Sequence, residues 1–182
     1  MRIAVSGTHG TGKSTLIETF LSKHKDYVGE PEAYEAMEVL YGEVFSAEPS
    51  ADDFLRQLEY HVQRLCEYRQ NDQVIFERSP ADYVAYLLAL EDLHRETADS
   101  NVSQRAIKIA RPSIGMLDLI VYLPSTQGGP GNEDRELGRV VNEHLERILV
   151  DDELDMLTAG PQVIEAKGTI AQRLEALESA LR

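Results

Sequence analysis

Residues 7–15 read Gly-Thr-His-Gly-Thr-Gly-Lys-Ser-Thr, which places Gly7, Gly12, Lys13 and Ser14 in the spacing G-x-x-x-x-G-K-S. A short apolar run, Ile3-Ala4-Val5, stands before this stretch and a helical pattern follows it. That is the context in which a glycine-rich loop wraps a polyphosphate. Gly7, Gly10 and Gly12 let the backbone take unusual dihedrals and come close to the phosphates. Successive N–H groups then face one concavity at a helix N-terminus, where the helix dipole also favours an anion. Lys13 has the length to reach the β- and γ-phosphates, and the Ser14 hydroxyl is a Mg²⁺ ligand. The expected nucleotide contacts are Gly7, Thr8, His9, Gly10, Thr11, Gly12, Lys13, Ser14 and Thr15, with ATP and Mg²⁺ as the cofactors.

Three other places carry groups suited to phosphate chemistry. Glu30-Pro31 follows a short strand-like segment, Tyr27-Val28-Gly29, and Pro31 cannot continue a ladder. Glu77-Arg78-Ser79-Pro80 follows the buried-strand run Gln73-Val74-Ile75-Phe76. There Ser79 reads as a helix N-cap, Pro80 as the first helical residue and Asp82 as the reciprocating carboxylate. Arg135 and Arg139 are four apart and so share a helix face. They follow a Gly/Pro-rich stretch at 125–134, the composition of an exposed, movable loop. A loop feeding two guanidiniums is a way to build a lid over a transferring phosphoryl group, at about residues 125–140.

The elements that must hold these groups alternate strand and helix. Strands are expected at about 2–6, 27–29, 73–76, 118–124 and 162–166, with no internal repeat. Helical spacing places Leu16, Ile17, Phe20, Leu21 and His24 on one face after the loop. Residues 32–48 read as one irregular helix with an exit near Gly42 or Glu48-Pro49. Ser50 with Asp53 opens a long helix to about Asn71. Gln57, Glu59, His61 and Arg64 on it either line a cleft or face water, and water is the expectation for most. Helices follow at 80–93, at about 99–115, from Arg135 to the Gly160-Pro161 break, and after Lys167-Gly168-Thr169. The apolar faces of the helices at 51–71 and 80–93 serve equally as core or as the surface of a homodimer. Asp118 precedes its apolar run, which puts it at the sheet edge away from the phosphates and argues against a metal role. Gly168 and Thr169 emerge at the phosphate edge and are expected to contact the adenine.

With 182 residues, 42% hydrophobic and 27% charged, the chain is expected to form a single domain over 1–182. A net charge of −14 excludes the basic stripe that a nucleic-acid partner would need. It also means that an anionic nucleotide must be held by local cations. The one cysteine, Cys66, excludes an internal disulfide and is expected as a packed core thiol beside Leu58, Val62 and Leu65. No run reaches membrane-spanning length, and a first strand starting near Arg2 leaves no room for a signal peptide, so the cytoplasm is expected. The five histidines lack metal-ligand spacing.

Taken together, Gly7–Ser14, Glu30-Pro31, Glu77-Arg78-Ser79, Arg135…Arg139 and Lys167-Gly168-Thr169 resemble the P-loop nucleoside and nucleotide kinase superfamily over most of the chain. The resemblance implies a three-layer α/β fold, with a five-stranded parallel sheet of order 2-3-1-4-5 and an Arg-bearing lid. Glu30-Pro31 and Glu77-Arg78-Ser79 look like the two signatures of deoxynucleoside kinases. That implies Glu30 as the base for a substrate hydroxyl and Arg78 as the residue orienting it and the phosphates. Gln57, seven residues before Arg64, is similar to that family's base-reading glutamine. The loop and Ser79–Tyr86 also look like bacterial P-loop kinase-like ATPases, including the ribosylnicotinamide kinase type, so the acceptor stays open. The expectation is a kinase acting on a hydroxyl of a nucleoside-like acceptor, with Ser14 and Glu77 positioning Mg²⁺ and Lys13, Arg78, Arg135 and Arg139 offsetting charge. A monophosphate kinase, using Arg105 or Arg111, and an ATPase or nucleotide-switched module remain as alternatives.

Overall fold

The computed structural model describes residues 1–42, 49–70, 72–95, 101–125, 135–158 and 160–182. The strands are β1 (Arg2–Ser6), β2 (Val28–Glu30), β3 (Val74–Glu77), β4 (Leu119–Tyr122) and β5 (Gln162–Glu165). The helices are α1 (Lys13–Lys23), α2 (Ala33–Tyr41), α3 (Ala51–Glu67), α4 (Pro80–Asp92), α5 (Asn101–Ile114), α6 (Arg135–Leu149) and α7 (Ile170–Ala180). All four strand pairings are parallel, and the order is β2-β3-β1-β4-β5. This is the three-layer P-loop fold expected from the sequence.

Strand alternation splits the core between the two faces of the sheet. Ala4, Phe76, Ile120 and Tyr122 pack with buried residues of α3, α4, α5 and α6. Ile3, Val5, Ile75 and Val121 point the other way, onto Leu16, Ile17 and Phe20 of α1 and Leu174 and Leu177 of α7. Register sets the working edge: Val5 lies opposite Glu77 and Ser6 opposite Tyr122. The carboxyl ends of β1, β2 and β3 therefore deliver the phosphate loop, Glu30 and Glu77 to one edge, where ligands of open parallel sheets bind. Asp118 lies at the other edge, accepting from the Arg2 N–H at 2.6 Å, as its position before the apolar run implied.

Two expectations are corrected. Cys66 is exposed, not packed. The buried face of α3 runs through Phe54, Leu58, His61 and Leu65, and the next residue turns outward to within 4.0 Å of Met116 Sδ. The helix from Arg135 ends at Leu149, because Asp152 accepts from the N–H groups of Met156 (2.7 Å) and Leu157 (3.0 Å) and turns the chain. The irregular helix expected from residue 32 is α2, which leaves at Gly42 in the left-handed region (φ 66°), the first of its two expected exits, and 43–48 lie outside the described residues. The apolar faces of α3 and α4 are filled by the chain itself, with Phe54 stacked on Tyr86 at 4.7 Å. No described helix is long and apolar enough to cross a membrane.

Candidate active site

The phosphate loop is clasped from inside and from both flanks. The Thr8 carbonyl accepts from Thr11 Oγ1 (2.9 Å) and from Lys13 Nζ (3.2 Å). On the α4 side the Gly7 N–H donates to Asp82 Oδ1 at 3.0 Å, and Arg78 Nη1 reaches the Gly7 carbonyl at 3.4 Å. Asp82 Oδ2 also takes the Ser79 N–H (2.8 Å) and hydroxyl (3.0 Å). The expected helix cap is thus also a loop anchor. On the α7 side Arg173 Nη1 donates to the Thr11 carbonyl at 2.6 Å. A Cβ at Gly7 would lie 2.8 Å from the Leu123 carbonyl, so only glycine fits there.

Lys13 is 4% exposed. Burial, with the repulsion of Arg78 second, pulls its pKa from 10.5 down to about 8. A buried ammonium held partly by a carbonyl is less well stabilised than in water, and a neighbouring anion would raise its pKa again.

Ser14 Oγ donates to Glu77 Oε1 at 3.0 Å, and Lys13 Nζ stands 3.9 Å from the same carboxylate. Burial and the nearby charge of Glu32 push the Glu77 pKa up. A hydroxyl and a carboxylate side by side are hard oxygen donors suited to Mg²⁺, which takes few protein ligands and completes its shell with water and substrate phosphates. No cluster of three or more His, Cys, Asp or Glu side chains fit to hold a metal occurs among the described residues.

The two carboxylates flanking Pro31 go to different partners. Glu30 is gripped by Arg64, with Nη2 at 2.8 Å and Nε at 3.1 Å, and also accepts from the Tyr68 hydroxyl. Burial pushes its pKa up, and these donors more than reverse that. Glu32 is the one that pairs with Arg78, through Nε. Burial likewise pushes Glu32 up, but Arg78 and Lys13 hold it below the usual range, a carboxylate at neutral pH. Arg78 is buried in the left-handed region (φ 72°), a strain worth about 1–3 kcal/mol for a non-glycine residue. Its guanidinium lies 3.7 Å from Asp82 and 5.0 Å over the Tyr86 ring. Sequence reasoning singled out Glu30 as the base and missed Glu32, which stands two residues on and is the one paired with Arg78.

Along α3, Gln57, His61 and Arg64 form one stripe toward this edge. Gln57 and His61 are 5% and 3% exposed, so neither faces water, whereas Glu59 is exposed and pairs with Arg105. His61 sits between Phe76 and Tyr83, its pKa driven down to about 4 chiefly by burial, and its Nε2 has no hydrogen-bond partner.

Lid residues 126–134 lie outside the described residues. Arg135 and Arg139 are both exposed on α6, and Arg139 bonds Glu143 at 2.5 Å on its own helix. Gly168 takes φ 89° and Thr169 caps α7, accepting from the Gln172 N–H. That places the expected adenine loop beside the helix whose Arg173 clasps Thr11. Arg173 was not singled out from sequence, since an arginine on a closing amphipathic helix carries no motif.

A search of curated proteins finds no match. Among solved structures, the chain is similar to deoxyadenosine kinase from M. mycoides with bound dATP, at 19% identity and a TM-score of 0.66, covering 100% of this chain and 99% of that one. It is also similar to thymidylate kinase from Candida albicans, at 18% identity and a TM-score of 0.70, covering 99% of this chain and 90% of that one. At such identities the likeness speaks for the fold, that of the P-loop nucleoside and nucleotide kinases. A family model described as an AAA domain matches residues 2–173, nearly the whole length, and the chain belongs to that family.

Proposed function

We propose that this protein is a kinase that moves the γ-phosphoryl group of ATP to a hydroxyl of a nucleoside-like acceptor. The observation that carries the reading is the meeting of Lys13, Ser14–Glu77 and the Glu32–Arg78 pair at one sheet edge. The loop amides and Lys13 hold the β- and γ-phosphates. Mg²⁺, held by Ser14 and Glu77, would neutralise charge shared by the β- and γ-oxygens. Glu32, kept ionised by Arg78, takes the acceptor's hydroxyl proton as its oxygen attacks the γ-phosphorus and the bond to ADP breaks. Arg78 offsets charge on the moving group, and Arg135 and Arg139 join it when the lid closes. Glu30, held by Arg64, then serves the acceptor-binding wall, and base duty passes to Glu32.

The arginines that a monophosphate acceptor would need favour the hydroxyl reading by being engaged elsewhere. Arg105 is on Glu59 and Arg111 donates to the Leu154 carbonyl at 2.8 Å. The AAA-domain match supports a second reading, an ATPase or nucleotide switch with no small acceptor.

The test is ADP release from Mg-ATP, alone and against nucleosides, ribosylnicotinamide and nucleoside monophosphates. A nucleoside-class acceptor is expected to raise release well above background. Glu32→Gln should then cost about a hundredfold or more in turnover, and Glu30→Gln far less. Release indifferent to every acceptor would favour the switch. Glu30→Gln as the worse variant would return the base to Glu30, and Arg135→Ala within about twofold of the parent would remove the lid role.

A further inference from the structure

Arg173 has no place in the chemistry above, yet it makes a contact that links the two ends of the chain. It lies in the first turn of α7, and its Nη1 donates to the Thr11 carbonyl at 2.6 Å, 162 residues away. The contact is close on a second count. A Cβ built on Gly12 would lie 3.3 Å from Arg173 Nη1 and 3.8 Å from Ile170 Cδ1, so the first turn of α7 presses against the loop. The base of this arm is fixed, because Thr169 and Gln172 cap the helix reciprocally, with the Thr169 N–H on Gln172 Oε1 at 2.9 Å. The guanidinium is not placed for its own comfort: its Nε is buried without a hydrogen-bond partner, which costs folding free energy.

The chemistry follows from the planarity of the peptide group. In a trans peptide the carbonyl of one residue and the N–H of the next point in opposite directions. A cation that draws the Thr11 carbonyl toward α7 therefore turns the Gly12 N–H away from α7. Gly12 is the residue that enters α1, at φ 89° and ψ 26°, and its amide is one of the donors at that helix N-terminus. Left to itself a glycine peptide turns over easily.

We propose that Arg173 is a positioning residue of the nucleotide site, holding the Thr11–Gly12 peptide so that the Gly12 amide is already aimed at a diphosphate group. This rests on the nucleotide-binding half of the kinase reading and not on the acceptor or the base. It also ties the loop at 167–169, expected at the adenine, to the loop at the phosphates.

Inorganic pyrophosphate with Mg²⁺ is the discriminating probe, because it has no base or sugar for the 167–169 loop to hold. Calorimetric titration of the full chain with pyrophosphate and with Mg-ATP should show both affinities falling by about tenfold or more in Arg173→Met. Arg105→Met, an exposed arginine outside the site, should leave them within about twofold, controlling for net charge. The Gly12 amide resonance of the nucleotide-free protein should shift in Arg173→Met and return toward its parent position in Arg173→Lys. Pyrophosphate affinity unchanged in Arg173→Met, with only the unfolding midpoint lowered, would make Arg173 a structural brace and overturn the proposal. Arg173→Gln carries the same comparison should the methionine variant not fold. Failure of every acceptor to stimulate ADP release would sink the kinase reading alone.

Discussion

The most informative single change is Lys13→Met, because the structure predicts opposite effects on stability and on binding. The Lys13 pKa of about 8, against 10.5 in an ordinary lysine, means that the folded protein holds the charged form less well than water does. The attractions of Glu32, Asp82 and Glu77 are already counted in that balance, and burial still wins. At 1.36 kcal/mol per pH unit, carrying the charge at pH 7 costs the nucleotide-free fold up to about 3 kcal/mol. The sign is that of a cation with a lowered folded pKa. The penalty is complete below pH 8 and fades as pH rises from 8 through 10.5, where the unfolded chain also loses its proton. Methionine has similar length and no charge, and the Thr8 carbonyl keeps its bond from Thr11 Oγ1. Urea unfolding at pH 7 should therefore show Lys13→Met more stable than the parent by about 1–3 kcal/mol, with the gap closing toward pH 10. Saturating Mg-ATP should stabilise the parent by about 2.7 kcal/mol at a hundred times its Kd and leave the variant unmoved. A variant less stable than the parent at pH 7, or a gap independent of pH, would refute the account of Lys13 as a buried cation waiting for an anion.

Three further outcomes follow from the same geometry. Nucleotide binding should re-protonate Lys13, so calorimetry in buffers of different ionisation enthalpy should show uptake of about half a proton at pH 8 and almost none at pH 6.5. Asp82→Asn puts an NH₂ group against the Ser79 donors or the Gly7 N–H and strips a carboxylate from buried Arg78; it should cost about 3 kcal/mol in chemical denaturation and weaken nucleotide binding with it. Ser14→Ala should raise the Mg²⁺ concentration for half-maximal ADP release by about tenfold or more while metal-free nucleotide binding changes little, and equal losses with and without Mg²⁺ would deny Ser14 its role.

The fold was legible because local signals agreed with one another. Apolar strand runs ended in charged residues, and Ser50–Asp53 and Ser79–Asp82 capped helices where expected. The phosphate loop was legible because its residues are adjacent in sequence and each is needed for its own backbone or charge. The carboxylate beside Arg78 was not. Glu30 and Glu32 flank one proline, and which of them meets Arg78 depends on where β2 stops, where α2 starts, and on Arg64 and Tyr68 of the α3 segment claiming Glu30. Those are tertiary facts with no local signature. Arg173 was hidden for the same reason, and Cys66 was misplaced by one position around a helix whose buried face is narrow.

The paired charges at the site bear on how a nucleotide can enter a protein of net charge −14. Lys13, Arg78 and Arg173 are the cations on the loop, and Glu32, Glu77 and Asp82 are the carboxylates beside them. Three against three leaves little net positive field, so a triphosphate arriving bare would meet carboxylates that have already claimed the cations. Asp82 cannot yield, because it holds the Gly7 and Ser79 amides. Glu77 can, since burial and Glu32 already raise its pKa and its partner is the Ser14 hydroxyl. A divalent ion held by Ser14 and Glu77 would convert that carboxylate from a repulsive neighbour of the phosphates into part of their support. On the proposed reading, nucleotide binding itself, and not only transfer, is expected to depend on Mg²⁺, and a nucleotide affinity unchanged by removing Mg²⁺ would refute this charge-balance argument.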